Sequence, residues 1–245
     1  MPAGWIERKR CCIWRPYDQN NLFDLDDTIL DFKKAETIAL SGTLRELNIA
    51  PSEERIALYS DINAAQWRRL EAGELTRTEV LTTRFRIFFD AIGEQRLPEQ
   101  AQALYEARLS QGHYFIDGAI KTLETLSSGY ALYLVSNGNL RVQEGRLRSA
   151  AISHFFQDIF ISEQIGADKP SPLFFDRCFA RIDGFERSAA IIVGDSLTSD
   201  IRGGFEAGIH TCWFNPRRLP RDPAIPAEYE ITNLRDLIPL VQAIV

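Results

Sequence analysis

The second half of the chain narrows the possible folds most, because short apolar segments alternate there with longer amphipathic ones. Together with one segment near the start, they predict strands at residues 20–25, 131–135, 159–161, 189–193 and 211–214. Helices are predicted to begin near Asn139 and Pro172, to span 198–207, and to run from Asn233 to Ile244. Short apolar runs joined by helices are typical of a parallel sheet buried on both faces. The sequence therefore predicts an α/β fold with a doubly wound parallel sheet.

Residues 33–111 have a different pattern, in which apolar side chains recur at helical spacing and no strand is indicated. Leu40, Leu44 and Leu47 form one such series, and glycines and prolines mark the ends of about four helices. Ligands of doubly wound sheets bind beyond the carboxyl ends of the strands. Helices inserted after the first strand are expected to cover that edge. We predict a core of residues 20–32 and 112–245, a helical cap over 33–111, and an N-terminal extension over 1–19.

Charge and composition exclude several classes of function. The formal net charge of −6 argues against a nucleic-acid partner, which would require a basic face. No apolar run reaches the roughly 18 residues that a membrane-spanning helix needs. The four cysteines show neither a disulfide framework nor zinc-site spacing, which fits a reducing cytoplasm. We expect a cytoplasmic monomer or small homo-oligomer with neither a membrane nor a nucleic-acid partner.

Asp24 and Asp26 lie two residues apart where the first predicted strand ends. Residues i and i+2 of a strand point to the same side, so the two carboxylates are expected to converge. Two like charges this close persist where a cation, a shared proton or a substrate offsets their repulsion. The alternative is structural, because Asp and Thr are also common in turns and at helix N-caps, and Thr28 follows closely.

Polar groups also follow the other predicted strands. These segments are Ser136-Asn137-Gly138, Lys169-Pro170, and the stretch from Gly194 to Asp200. Carboxylates from Asp24, Asp195 and Asp200 would form an oxygen-only site that suits Mg²⁺. Lys169 offers a positive charge and Ser136 a hydroxyl for phosphate oxygens. Each segment alone also occurs as a turn or a solvated surface stretch, and their combination at successive strand ends is what favours a site.

This set of motifs resembles the haloacid dehalogenase (HAD) superfamily of phosphatases with an α-helical cap. The match comprises Asp-x-Asp-x-Thr, the serine, the Lys-Pro pair and Gly-Asp-x-x-x-x-Asp, in that order, from residue 22 to about 215. The resemblance implies that Asp24 is the nucleophile and that Asp26 is the general acid and base. It implies Mg²⁺ ligands in Asp24, in Asp195 and in the backbone carbonyl of Asp26, with Asp200 helping through water or a hydrogen bond. The residues implied in phosphate binding are Thr28, Ser136, Asn137 and Lys169.

A closer resemblance is to the YjjG-type branch, whose members are pyrimidine 5′-nucleotidases. It rests on the stretch from Gly194 to Pro216 and on cap residues that include Asn63 and Gly73. It implies Mg²⁺-dependent hydrolysis of a small phosphorylated metabolite, a nucleoside 5′-monophosphate, through an aspartyl-phosphate. The cap residues considered as substrate contacts are Tyr59, Trp67, Arg84 and Phe88. Aromatic residues at helical spacing are also common in a helical core.

Several alternatives remain open at the level of sequence. The substrate can be another small metabolite such as a sugar phosphate, or the chain can be a catalytically silent module of the same fold. Halide-displacing relatives lack the second aspartate and need no metal, so Asp26 and Asp195 favour phosphate chemistry. A phosphonate-cleaving relative would need a Schiff-base lysine in the cap, where Lys33 and Lys34 at the entrance fit better as a solvated turn.

Overall fold

The computed structural model describes residues 19–243, so all of the predicted extension except Gln19 lies outside the described part of the chain. The described residues form one sheet of six parallel strands in the order β3-β2-β1-β4-β5-β6. The strands are β1 (Asn20–Phe23), β2 (Ala131–Ser136), β3 (Asp158–Ile161), β4 (Ala190–Gly194), β5 (His210–Phe214) and β6 (Tyr229–Ile231). The predicted doubly wound sheet is confirmed, and β6 is an addition at its edge.

Helices cover both faces of the sheet, which explains the continuous apolar runs. Leu22 and Phe23 are neighbours on β1 whose side chains point to opposite faces, and both are buried. Phe23 belongs to the core under α5 (Ala119–Leu126), α6 (Leu140–Ala150) and α10 (Leu237–Ala243). Leu22 belongs to the core under α8 (Pro172–Phe179) on the other side. Two separate apolar cores therefore hold the central strand, and with it the residues that follow the strand.

Four helices are inserted between β1 and α5, and we call them the cap helices. They are α1 (Phe32–Glu46), α2 (Glu53–Glu71), α3 (Arg77–Ile92) and α4 (Pro98–Leu109). Side chains of Asp31, Ser52 and Thr76 cap the first three by accepting backbone hydrogen bonds, and Gly93 ends α3 with a φ of 70°. The cap helices share an apolar core, to which Val142 of α6 also belongs, as the helical spacing of Leu40 and Leu44 predicts.

The element boundaries differ from the predictions in a few places. The helix predicted at 198–207 is a π-helical turn, Leu197–Ile201, followed by α9 (Arg202–Glu206). The closing helix begins as a 3₁₀ turn, Leu234–Asp236, before α10. α5 and the one-turn α7 (Ser162–Ile165) were not predicted, and the four residues of α7 are too few to show a period. None of the helices within residues 19–243 is long and apolar enough to cross a bilayer.

The strand order reverses direction at β1, which pairs with β2 on one side and with β4 on the other. Crossovers from this point run to opposite sides and leave a crevice at the carboxyl ends of the strands. The loops after β1, β2 and β4 therefore meet there, as do Asp24, Asn137 and Asp195, which all line one cleft.

Candidate active site

Lys169 is the centre of an ion-pair cluster at the carboxyl edge of the sheet. Its Nζ donates hydrogen bonds to Asp24 Oδ1 at 2.7 Å, to Asp200 Oδ1 at 2.6 Å and to the carbonyl oxygen of Val135 at 2.9 Å. All three ammonium hydrogens are thereby used. The side chain is only 1% exposed, and a buried charge is tolerated where it is paired and hydrogen-bonded in this way. Lys169 thus holds one oxygen of the Asp24 carboxylate in a fixed position.

The carboxylates of the cluster carry more negative charge than Lys169 neutralises. The pKa of Asp24 is raised to about 8, chiefly by burial, with Lys169 opposing the rise and the carboxylates of Asp200 and Asp26 adding to it. Burial and then the charge of Asp24 raise the pKa of Asp195 well above its usual value. Burial would lower the pKa of Lys169, but Asp200 and Asp24 raise it above its ordinary value, so the lysine stays charged. The remaining negative charge has to be balanced by protons or by a cation.

Asp24, Asp195 and Asp200 can each place one carboxylate oxygen within 4.8 Å of the others. Such an oxygen-only set, with its uncompensated negative charge, fits a hard divalent cation. Gly194 allows this close approach, since a Cβ at that position would lie 2.2 Å from Asp200 Oδ2. Asp200 Oδ1 and Oδ2 accept hydrogen bonds from Lys169 Nζ at 2.6 Å and from the backbone N–H of Ser196 at 3.2 Å, so this carboxylate is held within the cluster.

The loop after β2 contains the serine and asparagine that were expected to bind phosphate. Ser136 Oγ accepts hydrogen bonds from the backbone N–H of Gly138 at 3.1 Å and from Gln143 Nε2 at 2.9 Å. Its own hydrogen is left to donate, as a phosphate oxygen requires. The Asn137 side chain exchanges two 2.8 Å hydrogen bonds with the backbone N–H and carbonyl of Lys169. The amide of Asn137 therefore ties the two loops together, and any phosphate contact by this residue falls to its backbone.

Thr28 is a correction to the expected phosphate contacts. Its side chain is fully buried, its Oγ1 has no hydrogen-bond partner among residues 19–243, and it does not line the cleft beside Asp24. The cause is the turn after β1, where Asp27 adopts a φ of 57° and the N–H groups of Ile29 and Leu30 both bond to the carbonyl of Leu25. The chain turns back at this point, and Thr28 packs inside the turn.

Asp26 is held by two residues of α6 that the sequence analysis did not identify. Its carboxylate accepts a hydrogen bond from Gln143 Nε2 at 2.6 Å and forms an ion pair with Arg146 Nη1. Arg146 is fully buried and also donates from Nε to the carbonyl of Gly112 at 3.0 Å. Residues of α6 thus hold the Asp26 side chain, which is not among the three grouped carboxylates, and a metal-ligand role of this residue is left to its backbone carbonyl, as the resemblance implies.

A cleft of about 850 Å³, including its open mouth, lies between the carboxyl edge of the sheet and the cap helices. Asp24, Asp26 and Lys169 line its floor, and Trp67 and Arg84 are among the cap side chains that line its roof. Its remaining apolar lining comes from Phe32, Leu81, Leu109 and Val142. Its size and its mixture of apolar and charged walls are typical of a site for a small organic molecule.

Arg84 reaches this cleft from a buried polar network in the cap. Its Nη1 donates to Asn63 Oδ1 at 2.9 Å, and its Nε donates to Gln102 Oε1 at 3.0 Å. Gln102 in turn donates to Glu106 Oε1 at 2.6 Å, and Glu106 also lines the cleft. Arg84 as a donor and Glu106 as an acceptor therefore lie on one wall of the cleft, and hydrogen bonds within the cap hold both in place.

Tyr59 and Phe88 are a second correction. Both side chains are fully buried and pack against one another edge to face, with ring centroids 5.5 Å apart. They lie in the apolar core of the cap helices, and neither lines the cleft. Burial within that core, rather than a substrate, accounts for these two aromatic residues.

Arg77, the first residue of α3, connects the cap helices to the core and was also missed. Its Nη1 donates to the carbonyl oxygens of Asn137 and Gly138 at 2.7 and 3.0 Å, and its Nη2 donates to Ser162 Oγ at 2.5 Å. It also forms an ion pair with Asp168. These contacts join α3 to the loop after β2 and to the segment that contains Ser162 and Asp168.

Comparison with known proteins places this geometry in a family. The sequence model of haloacid dehalogenase-like hydrolases matches residues 21–214. YfnB of Bacillus subtilis, named as a HAD-hydrolase, is 42% identical over 216 residues, which cover 88% of this chain and 92% of YfnB. A crystal structure of YfnB bound to magnesium, described as revealing interdomain movement, superposes with a TM-score of 0.87 at 40% identity, covering 91% of this chain and 98% of YfnB.

Two further relatives are named as pyrimidine 5′-nucleotidases. PynA of Streptococcus pneumoniae is 36% identical over 218 residues, which cover 89% of this chain and 92% of PynA. YjjG of Escherichia coli is 24% identical over 215 residues, which cover 88% and 94%. The matches extend over both the sheet and the cap helices. The chain therefore belongs to the haloacid dehalogenase-like hydrolases, in the YjjG-type branch that includes these nucleotidases.

Proposed function

We propose that the protein is a Mg²⁺-dependent phosphatase that hydrolyses pyrimidine nucleoside 5′-monophosphates through an aspartyl-phosphate on Asp24. The observation that carries the proposal is the contact of Lys169 with Asp24 and Asp200 at the floor of the cleft. Lys169 fixes one oxygen of the Asp24 carboxylate and leaves the other to attack phosphorus. The same ammonium provides positive charge where the negative charge of the phosphoryl group must be accommodated.

The other core residues divide the remaining steps among them. Ser136 and the N–H groups of its loop bind phosphate oxygens and so orient the phosphorus toward Asp24. Asp26 donates a proton to the leaving alcohol and then accepts one from the water that hydrolyses the aspartyl-phosphate. Mg²⁺ held by the carboxylates of Asp24, Asp195 and Asp200 and by the backbone carbonyl of Asp26 would supply further positive charge to the transferring group. The cap helices exclude bulk water from the floor of the cleft.

The cap wall supports a nucleotide as the substrate. Trp67 and the apolar lining offer surfaces on which a base can stack, and Arg84 and Glu106 offer a donor and an acceptor for its polar edge. Named pyrimidine 5′-nucleotidases among the relatives point to the same class of substrate. Trp67 and Arg84 are the two cap residues that we propose to contact the substrate.

A phosphate-release screen tests the proposed function. UMP, CMP, TMP, AMP, GMP and glucose 6-phosphate are compared by kcat/KM with saturating Mg²⁺, and p-nitrophenyl phosphate serves as a general substrate. We expect the pyrimidine nucleotides to exceed the others by about 10-fold or more, because one wall of the pocket must match the base. A higher kcat/KM for glucose 6-phosphate would make this a sugar phosphatase. Absence of release from every compound, p-nitrophenyl phosphate included, would overturn the proposal in favour of a binding module.

Magnesium is expected to stabilise the protein more strongly at pH 8 than at pH 6. The pKa of Asp24 is raised to about 8 and that of Asp195 is also raised, so the metal-free folded state holds protons that the unfolded state releases near pH 4. The metal-free protein should lose stability as pH rises toward 8. Mg²⁺ should offset this loss, since it binds the ionised carboxylates.

The measurement is thermal unfolding with and without MgCl₂ at matched ionic strength. A hundredfold excess over Kd corresponds to about 2.7 kcal/mol, which for a chain of this size is roughly 5–10 °C in Tm. Asp195→Asn should lose most of that gain, whereas Asp183→Asn, outside the site, should keep it. A gain in Tm that is equal at both pH values, or larger at pH 6, would contradict the assignment of the cation to this cluster.

A further inference from the structure

Gln143 and Arg146 lie three residues apart on α6, and both are almost fully buried. Residues at this spacing share one face of a helix, and here that face meets Asp26. Gln143 Nε2 lies 2.6 Å from Asp26 Oδ2, and Arg146 Nη1 forms an ion pair with Asp26 Oδ1. The two oxygens of the carboxylate are therefore held by different side chains, which fixes both its position and its plane.

Further contacts restrain both side chains of the pair. Gln143 Oε1 accepts a hydrogen bond from Arg146 Nη1 at 3.2 Å, and Arg146 Nε is bound by the carbonyl of Gly112. Gln143 also packs tightly on Gly138, where a Cβ would lie 2.2 Å from Gln143 Nε2. The donors that meet Asp26 therefore have little freedom to turn away.

Gln143 also connects two functional groups of the site. The same Nε2 that donates to Asp26 lies 2.9 Å from Ser136 Oγ, the hydroxyl that we propose to bind phosphate. A single amide group thus spans from the proton carrier to the phosphate-binding serine. The distance of the acid from the bound phosphate group is set by this bridge rather than by the loop after β1 alone.

We infer that Gln143 and Arg146 are positioning residues that hold the Asp26 carboxylate at the place where the leaving oxygen needs its proton. The inference rests on the proposed phosphatase function. In the first half-reaction Asp24 forms a bond to phosphorus, the phosphorus–oxygen bond to the leaving group breaks, and the proton of Asp26 goes to that oxygen. Misplacing Asp26 therefore slows only those reactions whose leaving group needs the proton.

Two substrates with different leaving groups separate this role from a structural one. The nucleoside of UMP is a poor leaving group that departs as the protonated alcohol, whereas p-nitrophenolate is stable as an anion and departs without a proton. For each variant, kcat/KM is measured with both substrates on the same preparation, and kcat/KM reports only the steps through departure of the leaving group. The ratio of the two values is independent of how much of the protein is folded, and it cancels a general loss of phosphate binding.

Arg146→Met and Gln143→Met are each expected to lower the UMP-to-p-nitrophenyl phosphate ratio by about 10- to 100-fold, the usual size of a small misplacement of a reacting group. Arg146→Lys keeps the charge and should recover part of the ratio. Arg148→Met, two residues further along α6 and exposed, should leave the ratio at the wild-type value. If Arg146→Met does not fold, the ratio measured for Gln143→Met alone tests the positioning role, because this variant removes one of the two donors to Asp26.

The positioning role would be overturned if a folded Gln143→Met or Arg146→Met protein showed an unchanged ratio, with both kcat/KM values reduced equally. The two residues would then have a structural role. Failure of the proposed function gives a different result. If the wild type releases no phosphate from either substrate, the phosphatase proposal fails and this inference fails with it. If the wild type cleaves p-nitrophenyl phosphate and glucose 6-phosphate but not UMP, only the nucleotide assignment is wrong, and glucose 6-phosphate takes the place of UMP in the ratio.

Discussion

Replacing Asp24 with asparagine is expected to abolish phosphate release, with a loss of about 10⁵-fold or more, the scale seen when a nucleophile is removed. Asparagine keeps the shape of the side chain, and its Oδ1 can still accept the 2.7 Å hydrogen bond from Lys169. It lacks the anionic oxygen that attacks phosphorus, and no aspartyl-phosphate can form. Phosphate release from UMP and p-nitrophenyl phosphate, in single- and multiple-turnover assays, measures the loss.

The fold should tolerate this change, because the pKa of Asp24 shows that its charge is unfavourable in the metal-free protein. Tm without Mg²⁺ is therefore expected to stay the same or to rise slightly. Asp31→Asn serves as the matched control, since asparagine also caps helices well and Asp31 does not line the cleft with Asp24. Substantial turnover by a folded Asp24→Asn protein would show that the nucleophile lies elsewhere.

Replacing Asp26 with alanine is expected to lower kcat/KM for UMP by about 10²- to 10⁴-fold, the usual contribution of a general acid. Both half-reactions need a proton carrier, so kcat should fall as well. With p-nitrophenyl phosphate the first half-reaction does not need the proton, and the loss in kcat/KM should be much smaller.

Loss of the Asp26 carboxylate also leaves the buried Arg146 without its ion-pair partner, which is destabilising. Asp26→Asn keeps a hydrogen-bond acceptor for Arg146 and separates that effect from the chemistry. It should recover stability in thermal unfolding but not activity toward UMP. Recovery of activity with Asp26→Asn, or equal losses for the two substrates in Asp26→Ala, would exclude Asp26 as the proton donor to the leaving group.

Much of the fold could be predicted from local sequence patterns. Where the prediction missed an element, the cause is also local. Four of the five predicted strands lie in the interior of the sheet and the fifth, β3, lies at its edge, and each contains a run of buried apolar side chains. β6, with three residues at the edge and Glu230 in its middle, has no such run. The extension over residues 1–19 and the division into core and cap remain predictions.

The site was predicted unevenly, and Trp67 and Tyr59 illustrate why. Both are aromatic residues on α2, eight residues apart, and the sequence offers the same interpretation for each. In the structure Trp67 lines the cleft while Tyr59 is fully buried in the cap core. The angle at which α2 packs on its neighbours decides between the two, and that angle is not encoded in any short segment. Gln143 and Arg146 are polar residues spaced i and i+3 on the buried face of α6, and this spacing is a weak indication of a role in a site. Nothing in the sequence indicates that Asp26 is their partner.

The sequence by itself determined the chemistry that gathers at the sheet edge. Asp24, Ser136 and Asp195 lie at the ends of apolar runs and Lys169 lies in the loop after another, and parallel strands bring their carboxyl ends together whatever the details of packing. Only the tertiary structure decided which groups touch. Lys169 meets Asp24 across 145 residues of chain, and Arg146 meets Asp26 across 120. Contacts of that range depend on how helices and loops pack against the finished sheet, because a hydrogen bond needs its two atoms placed within a few tenths of an ångström.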